Sequence, residues 1–100
     1  MINNIYENLK YSKDAEIIDL IDKAKNFEIS RITSSGQTTD WLEDSRYEIA
    51  ILLEGEAVIE FSDHKVKLKK GEVIKITPHT KHRVYNLSPT GLWLAIYITQ

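Results

Sequence analysis

The chain contains no cysteine. That absence excludes a disulfide framework, a thiolate zinc site and a cysteine nucleophile together. Glycine and proline are scarce, four and two in 100 residues, and they fall at punctuation points rather than inside apolar runs. No apolar stretch approaches the roughly 20 residues that span a bilayer, and the N-terminus lacks a cationic start followed by an apolar segment. Charge of one sign is also missing. Thirteen basic residues stand against fifteen acidic ones for a net charge of −2, which leaves no basic field for nucleic acid. There is no Gly-rich phosphate loop, no zinc-type histidine pair on a helix and no Gly-x-Ser-x-Gly nucleophile turn. The expectation is a soluble, cytoplasmic protein with neither nucleic-acid nor membrane partners.

What is present suits one small domain: 42% of the residues are hydrophobic, enough for a single core. The first forty residues differ in texture from the rest. Residues 1–11 form a polar arm with Ile2, Ile5, Tyr6 and Leu9 at roughly helical spacing. Between Asp14 and Lys25, Ile17, Ile18, Ile21 and Ala24 recur at helical spacing, with Asp14 and Glu16 early and Lys23 and Lys25 late. This predicts a short amphipathic helix. After Asn26 the period changes. Strands are predicted from Phe27 to a loop at Thr33-Ser34-Ser35-Gly36, then over 48–53, 57–61, 65–69, 73–77, 82–87 and 92–99, separated by turn chemistry such as Lys70-Gly71 and Ser88-Pro89-Thr90-Gly91. Short strands at even spacing without a crossover helix favour an antiparallel sandwich or barrel.

Two motifs stand out. Gly71 leads into an apolar strand, a turn at Pro78-His79 follows, and a second strand opens at His82 with Asn86 four residues on. Upstream, Glu48 and Gly55 are separated by six residues. Together these resemble the two signatures of the cupin family. The first carries two alternate histidines, a glutamate and then a glycine; the second carries a glycine, a Pro-Gly turn, a histidine and an asparagine. Thr77 stands where the proline is usual and His79 where the glycine is usual. Trp41, Glu48, Gly55-Glu56, His79, His82-Arg83-Val84 and Trp93-Leu94-Ala95 also follow the pattern of short single-domain cupins. The resemblance implies an all-β, cupin-type antiparallel jelly-roll barrel over 27–100, preceded by an arm and one short N-terminal helix over 1–26.

The same resemblance implies a site. Trp41 and Glu43 occupy the places of the two histidines, so the inherited metal ligands are Glu43, Glu48 and His82, with His79 as a substitute, for one divalent transition ion. Strand geometry constrains this set. Residues three apart on an extended strand face opposite sides, so His79 and His82 converge only if the intervening turn bends the chain. Glu43 and Glu48 have opposite parity, whereas Asp44 and Glu48 share it; a bulge would be needed to turn Glu43 inward. Glu48 has the parity of Ala50 and Leu52, and a carboxylate facing a core must be paired, metal-bound or protonated. A salt bridge to Arg83 or Arg46 is one reading and a metal bond the other. His82 is either a ligand or a hydrogen-bonded histidine at the barrel mouth.

The leading expectation is a protein that binds a small polar ligand, with or without a divalent metal, in a cavity lined by Trp41, Glu48, His82, Tyr85 and Tyr97. The alternative is a metal-dependent enzyme of dioxygenase, isomerase or decarboxylase type in which Glu48 and His82 are the catalytic candidates, since the family hosts catalysts and binders alike. Residues 92–99 read Leu-Trp-Leu-Ala-Ile-Tyr-Ile-Thr, apolar on both strand faces. A half-exposed strand should alternate, so a homodimer is expected, with the predicted helix as the other candidate cover.

Overall fold

The computed structural model describes residues 2–100, so Met1 of the arm lies outside it. Eight strands follow in chain order: β1 Ile17–Lys23, β2 Phe27–Ser34, β3 Tyr47–Glu54, β4 Ala57–Phe61, β5 Lys65–Leu68, β6 Val73–Ile76, β7 His82–Asn86 and β8 Gly91–Ile98. They form a five-stranded sheet in the order β1-β2-β8-β3-β6 and a three-stranded sheet in the order β5-β4-β7. Every pairing is antiparallel. The all-β jelly-roll expectation holds. No helix among the described residues is long and apolar enough to cross a membrane.

The helix predicted between Asp14 and Lys25 is a strand instead. Its core is β1, paired with β2 from Ile17↔Thr33 to Lys23↔Glu28. The register shifts between Leu20 and Asp22, so Ile21 is an inserted residue. That bulge moves the later apolar residue by one place and turns a strand alternation into an apparent helical period. β-branched Ile17, Ile18 and Ile21 favour the pleated state, and the free edge of β2 supplies the ladder bonds that a helix would otherwise make internally.

The arm before β1 is tied down by polar contacts. Arg31, only 4% exposed, donates from Nη1 to the carbonyls of Ile5 (3.0 Å) and Glu7 (2.6 Å), and from Nε to Asp19. Thr33 Oγ1 donates to the Lys10 carbonyl, and the Gln37 amide to that of Ser12. The predicted helical spacing of Ile2, Ile5 and Leu9 leads to turns, not to a helix.

Cross-strand pairs sort the side chains by face. Inside lie Ala50, Leu52, Ala57, Ile59, Leu68, Ile74, Ile76 and Trp93, the buried apolar cluster. Each fully buried aliphatic side chain contributes about 1.5–3 kcal/mol. The outer face of the large sheet carries three aligned rows across β2, β8 and β3: Phe27-Ile98-Tyr47, Ile29-Ile96-Ile49 and Arg31-Leu94-Ile51. Gly55, at φ +94, makes the turn from β3 to β4; this left-handed backbone suits a residue without a Cβ.

Candidate functional site

β7 begins where the chain leaves the Pro78-His79 turn, and its alternation decides what enters the barrel. His82, Val84 and Asn86 point inward; Arg83 and Tyr85 point outward, where the Arg83 Nε and the Tyr85 hydroxyl both donate to Glu60 Oε1 at 2.7 Å. The segment before β3 anneals onto this strand. Leu42 and His82 exchange backbone hydrogen bonds of 2.6 and 3.0 Å, so they share a face. That register puts Leu42 over the cavity and sends Trp41 to the opposite side. Trp41, 42% exposed, stacks under the Arg83 guanidinium at 4.6 Å.

A cavity of about 220 Å³ lies between the sheets. Its floor is apolar, with Ala50, Ile59, Ile76, Val84, Trp93 and Ala95, and its polar groups are Glu16, Glu43, Asp44, Glu48, His82 and Tyr97. Glu48, His82 and Tyr97 of the expected lining are therefore brought together, with Glu43 at the rim. Trp41 and Tyr85 are not part of the lining. Tyr85 follows from parity, since it stands three residues from His82 on one strand.

Asp44 is a supporting group. Arg46 grips it through Nε and Nη2, both at 2.9 Å, and through its backbone N–H at 2.8 Å. These bonds hold the Asp44 carboxyl below its ordinary value and the Arg46 guanidinium above its own. Arg46 also reaches Glu28 at 3.4 Å and lies 4.4 Å from the centre of the Tyr97 ring. Glu48 forms no salt bridge or side-chain hydrogen bond among the described residues. Arg83 is taken by Glu60 and Arg46 by Asp44. Burial pushes the Glu48 carboxyl up to about 7; the Asp44 charge adds to this, Arg46 opposes it and Glu16 adds further. Burial likewise raises the Tyr97 hydroxyl, helped by the charge of Glu48.

His82 is 4% exposed, and its Nδ1 lies 2.9 Å from the Thr80 carbonyl. A carbonyl only accepts, so Nδ1 carries a proton, and in the tautomer this selects Nε2 is the acceptor. Asn86 is a second hub. Its amide donates to Glu16 Oε2 at 2.8 Å and to the Gln37 carbonyl at 3.1 Å, while its Oδ1 accepts from Trp93 Nε1 at 3.0 Å. Nothing in the sequence marks Glu16 as a lining residue, since a helical first turn accounts for its charge. Asn86 was visible as a motif position, without its role.

His79 sits in left-handed backbone at φ 60. Its imidazole is exposed and faces Glu43 at 3.7 Å. His79 is not among the residues that line the cavity with His82.

The profile of the cupin domain matches residues 32–97. The chain belongs to the cupin family. No curated protein matches it in sequence. Among solved structures, this cupin is similar to a candidate mannose-6-phosphate isomerase from Ralstonia eutropha JMP134, with TM-score 0.90 and 22% identity over 100% of this chain and 99% of that one. It is also similar to a cupin superfamily protein from Desulfitobacterium hafniense DCB-2, with TM-score 0.82 and 20% identity over 92% and 84% of the two chains. KdgF from Halomonas sp. follows at TM-score 0.77 and 15% identity over 85% and 79%. At these identities the likeness is one of fold.

A metal is the cofactor the fold implies, and the donors of this cupin do not fit one as arranged. Among the described residues no group of three or more His, Asp or Glu side chains converges to hold an ion. Trp41 brings no donor, His79 is exposed and outside the lining, and Asp44 is engaged by Arg46. Glu48 and His82 are the donors left facing the cavity.

Proposed function

We propose that this cupin binds a small polar molecule directly in its barrel, oriented by Glu48 and His82. The observation that carries this reading is the cavity of about 220 Å³ with an apolar floor and these two groups on its wall. Apolar surface supplies contact area and a few placed polar groups supply orientation, as in small-molecule sites generally. The test is a thermal-shift ligand screen with His82→Ala and Trp41→Ala proteins. Stabilisation should vanish with His82→Ala and survive Trp41→Ala, whose side chain lies outside. A ligand indifferent to His82→Ala binds elsewhere.

A divalent metal held by Glu48 and His82 would require Glu43 or His79 to swing in from the rim. Elemental analysis of protein made in metal-supplemented medium tests this, and stoichiometric metal lost on His82→Ala would establish it. A second, catalytic reading rests on Glu48. A carboxyl pushed up to about 7 that lines the same cavity as an imidazole suits proton transfer near neutral pH. Exchange of a carbon-bound hydrogen of a bound ligand in D2O, abolished by Glu48→Gln, would support it.

The protein acts as a homodimer in this reading. The support is the apolar outer stripe of Ile29, Ile49, Ile51, Leu94, Ile96 and Ile98, continuous across three strands, which a second copy can cover.

A further inference from the structure

The polar wall of the cavity is made of acceptors. Four carboxylates line it, from Glu16, Glu43, Asp44 and Glu48, and no lysine or arginine does. Most are already engaged: Asp44 by Arg46, Glu16 by the Asn86 amide, Glu43 by His79 at the rim. Two are not. The Glu48 carboxylate and His82 Nε2 have no hydrogen-bond partner among the described residues, and the His82 side chain is 96% buried, being 4% exposed. Its Nδ1–H is spent on the Thr80 carbonyl, and in that tautomer the atom left for the cavity accepts. Donors are correspondingly few. Trp93 Nε1 is taken by Asn86, which leaves the Tyr97 hydroxyl.

The geometry points to a compact organic cation as the ligand class of this cavity: a primary ammonium or amidinium group on a small apolar body, donating to Glu48 and to His82 Nε2. The inference rests on the binding reading above and narrows it. An anionic ligand, a sugar phosphate included, would meet the Glu48 carboxylate with no lysine or arginine in the lining to bind it, and like charges at short range repel strongly in a partly dry site. A neutral polyol could donate to the acceptors but would leave the Glu48 charge uncompensated. A cation matches both acceptors and charge, and its body meets Ile32, Ile59, Ile76, Val84 and the ring of Trp93, whose face also favours positive charge. The volume of about 220 Å³ corresponds to about seven waters at about 30 Å³ each, so the body is limited to a single small ring or a short chain.

The test uses three probes of one shape: benzylamine, benzyl alcohol and benzoate. Each is titrated into the full chain at pH 8 while the Trp93 indole N–H resonance is followed by NMR. Benzylamine should shift that resonance with at least tenfold lower Kd than benzyl alcohol, and benzoate should be weaker still. Glu48→Gln should remove the preference for the amine, bringing its Kd to within about twofold of that of the alcohol on the same variant. If the alcohol or the carboxylate binds as tightly as the amine, or if Glu48→Gln leaves the preference intact, the cationic assignment is overturned while the cavity remains a binding site. If none of the three moves Trp93 and the resonances of Tyr97 and His82 are also still, the binding reading fails as well.

Discussion

Glu48→Gln offers the sharpest test of the electrostatics. The folded protein holds the Glu48 carboxyl at about 7 against an ordinary 4.5, chiefly because burial disfavours its charge. Between those values the unfolded chain releases a proton that the folded chain retains, so stability falls as the pH rises through the window and levels off above about 7. At about 1.4 kcal/mol per pH unit the penalty reaches about 3 kcal/mol. Asp44 has the opposite sign, but its carboxyl is held below 3.8 and acts only in stronger acid. Glutamine keeps the shape and abolishes the titration. Glu48→Gln should therefore equal the wild type near pH 4.5 and exceed it by about 3 kcal/mol at pH 8, a Tm rise of roughly 10–20 °C for a chain this size. Urea unfolding at intervals from pH 4.5 to 8.5 measures the difference directly. A variant no more stable than wild type at pH 8, or a difference that does not grow with pH, would refute the argument that Glu48 is a desolvated, uncompensated carboxylate.

His79→Gly should stabilise the protein by about 0.5–1 kcal/mol in urea unfolding, because it relieves a left-handed non-glycine backbone at φ 60 and gives up only an exposed contact with Glu43; a loss of stability would show that the His79 side chain contributes more than the contact it makes. Asn86→Leu should cost about 2–4 kcal/mol by the same measurement, since Trp93 Nε1 and Glu16 lose their partner at once and buried polar groups left unpaired cost about 1–3 kcal/mol each. Light scattering at micromolar concentration should give twice the monomer mass of 11.6 kDa, and Ile96→Asp, at the centre of the outer stripe, should reduce it to the monomer; a wild-type protein at the monomer mass alone would remove the dimer.

Strands β3 to β8 are legible in the sequence because short apolar runs are bounded on both sides by turn residues. Lys65, Lys67 and Lys69 flank Val66 and Leu68, and glycines mark the turns at 55 and 71. β1 is not legible, because a bulge at Ile21 breaks the period of two and leaves a pattern that mimics a helix. The inward direction of Glu48 follows from its parity with Ala50 and Leu52. Its missing partner does not, because the commitments of Arg46 to Asp44 and Arg83 to Glu60 are set by tertiary packing. Trp41 illustrates the same boundary. Family spacing places it near the site, but its direction depends on the pairing of Leu42 with His82, which no local pattern announces.

That pairing also explains the chemistry of the cavity. β7 alternates His82, Val84 and Asn86 inward with Arg83 and Tyr85 outward, and the Leu42 register adds Trp41 to the outward side. The cation of that strand and its aromatic platforms are thereby assembled on the exterior, where Arg83 lies 4.6 Å from the Trp41 ring and 5.1 Å from that of Tyr85. Arg46, the other cation within reach, closes on Asp44 and covers Tyr97. With both guanidinium groups committed, the carboxylates of the interior are left without a mobile positive partner inside the protein. Burial then raises Glu48 rather than pairing it. The same arrangement accounts for the poor fit to a metal and the suitability for an organic cation: one imidazole acceptor and one free carboxylate are too few to enclose an ion, yet enough to hold a donor with a positive charge and an apolar body.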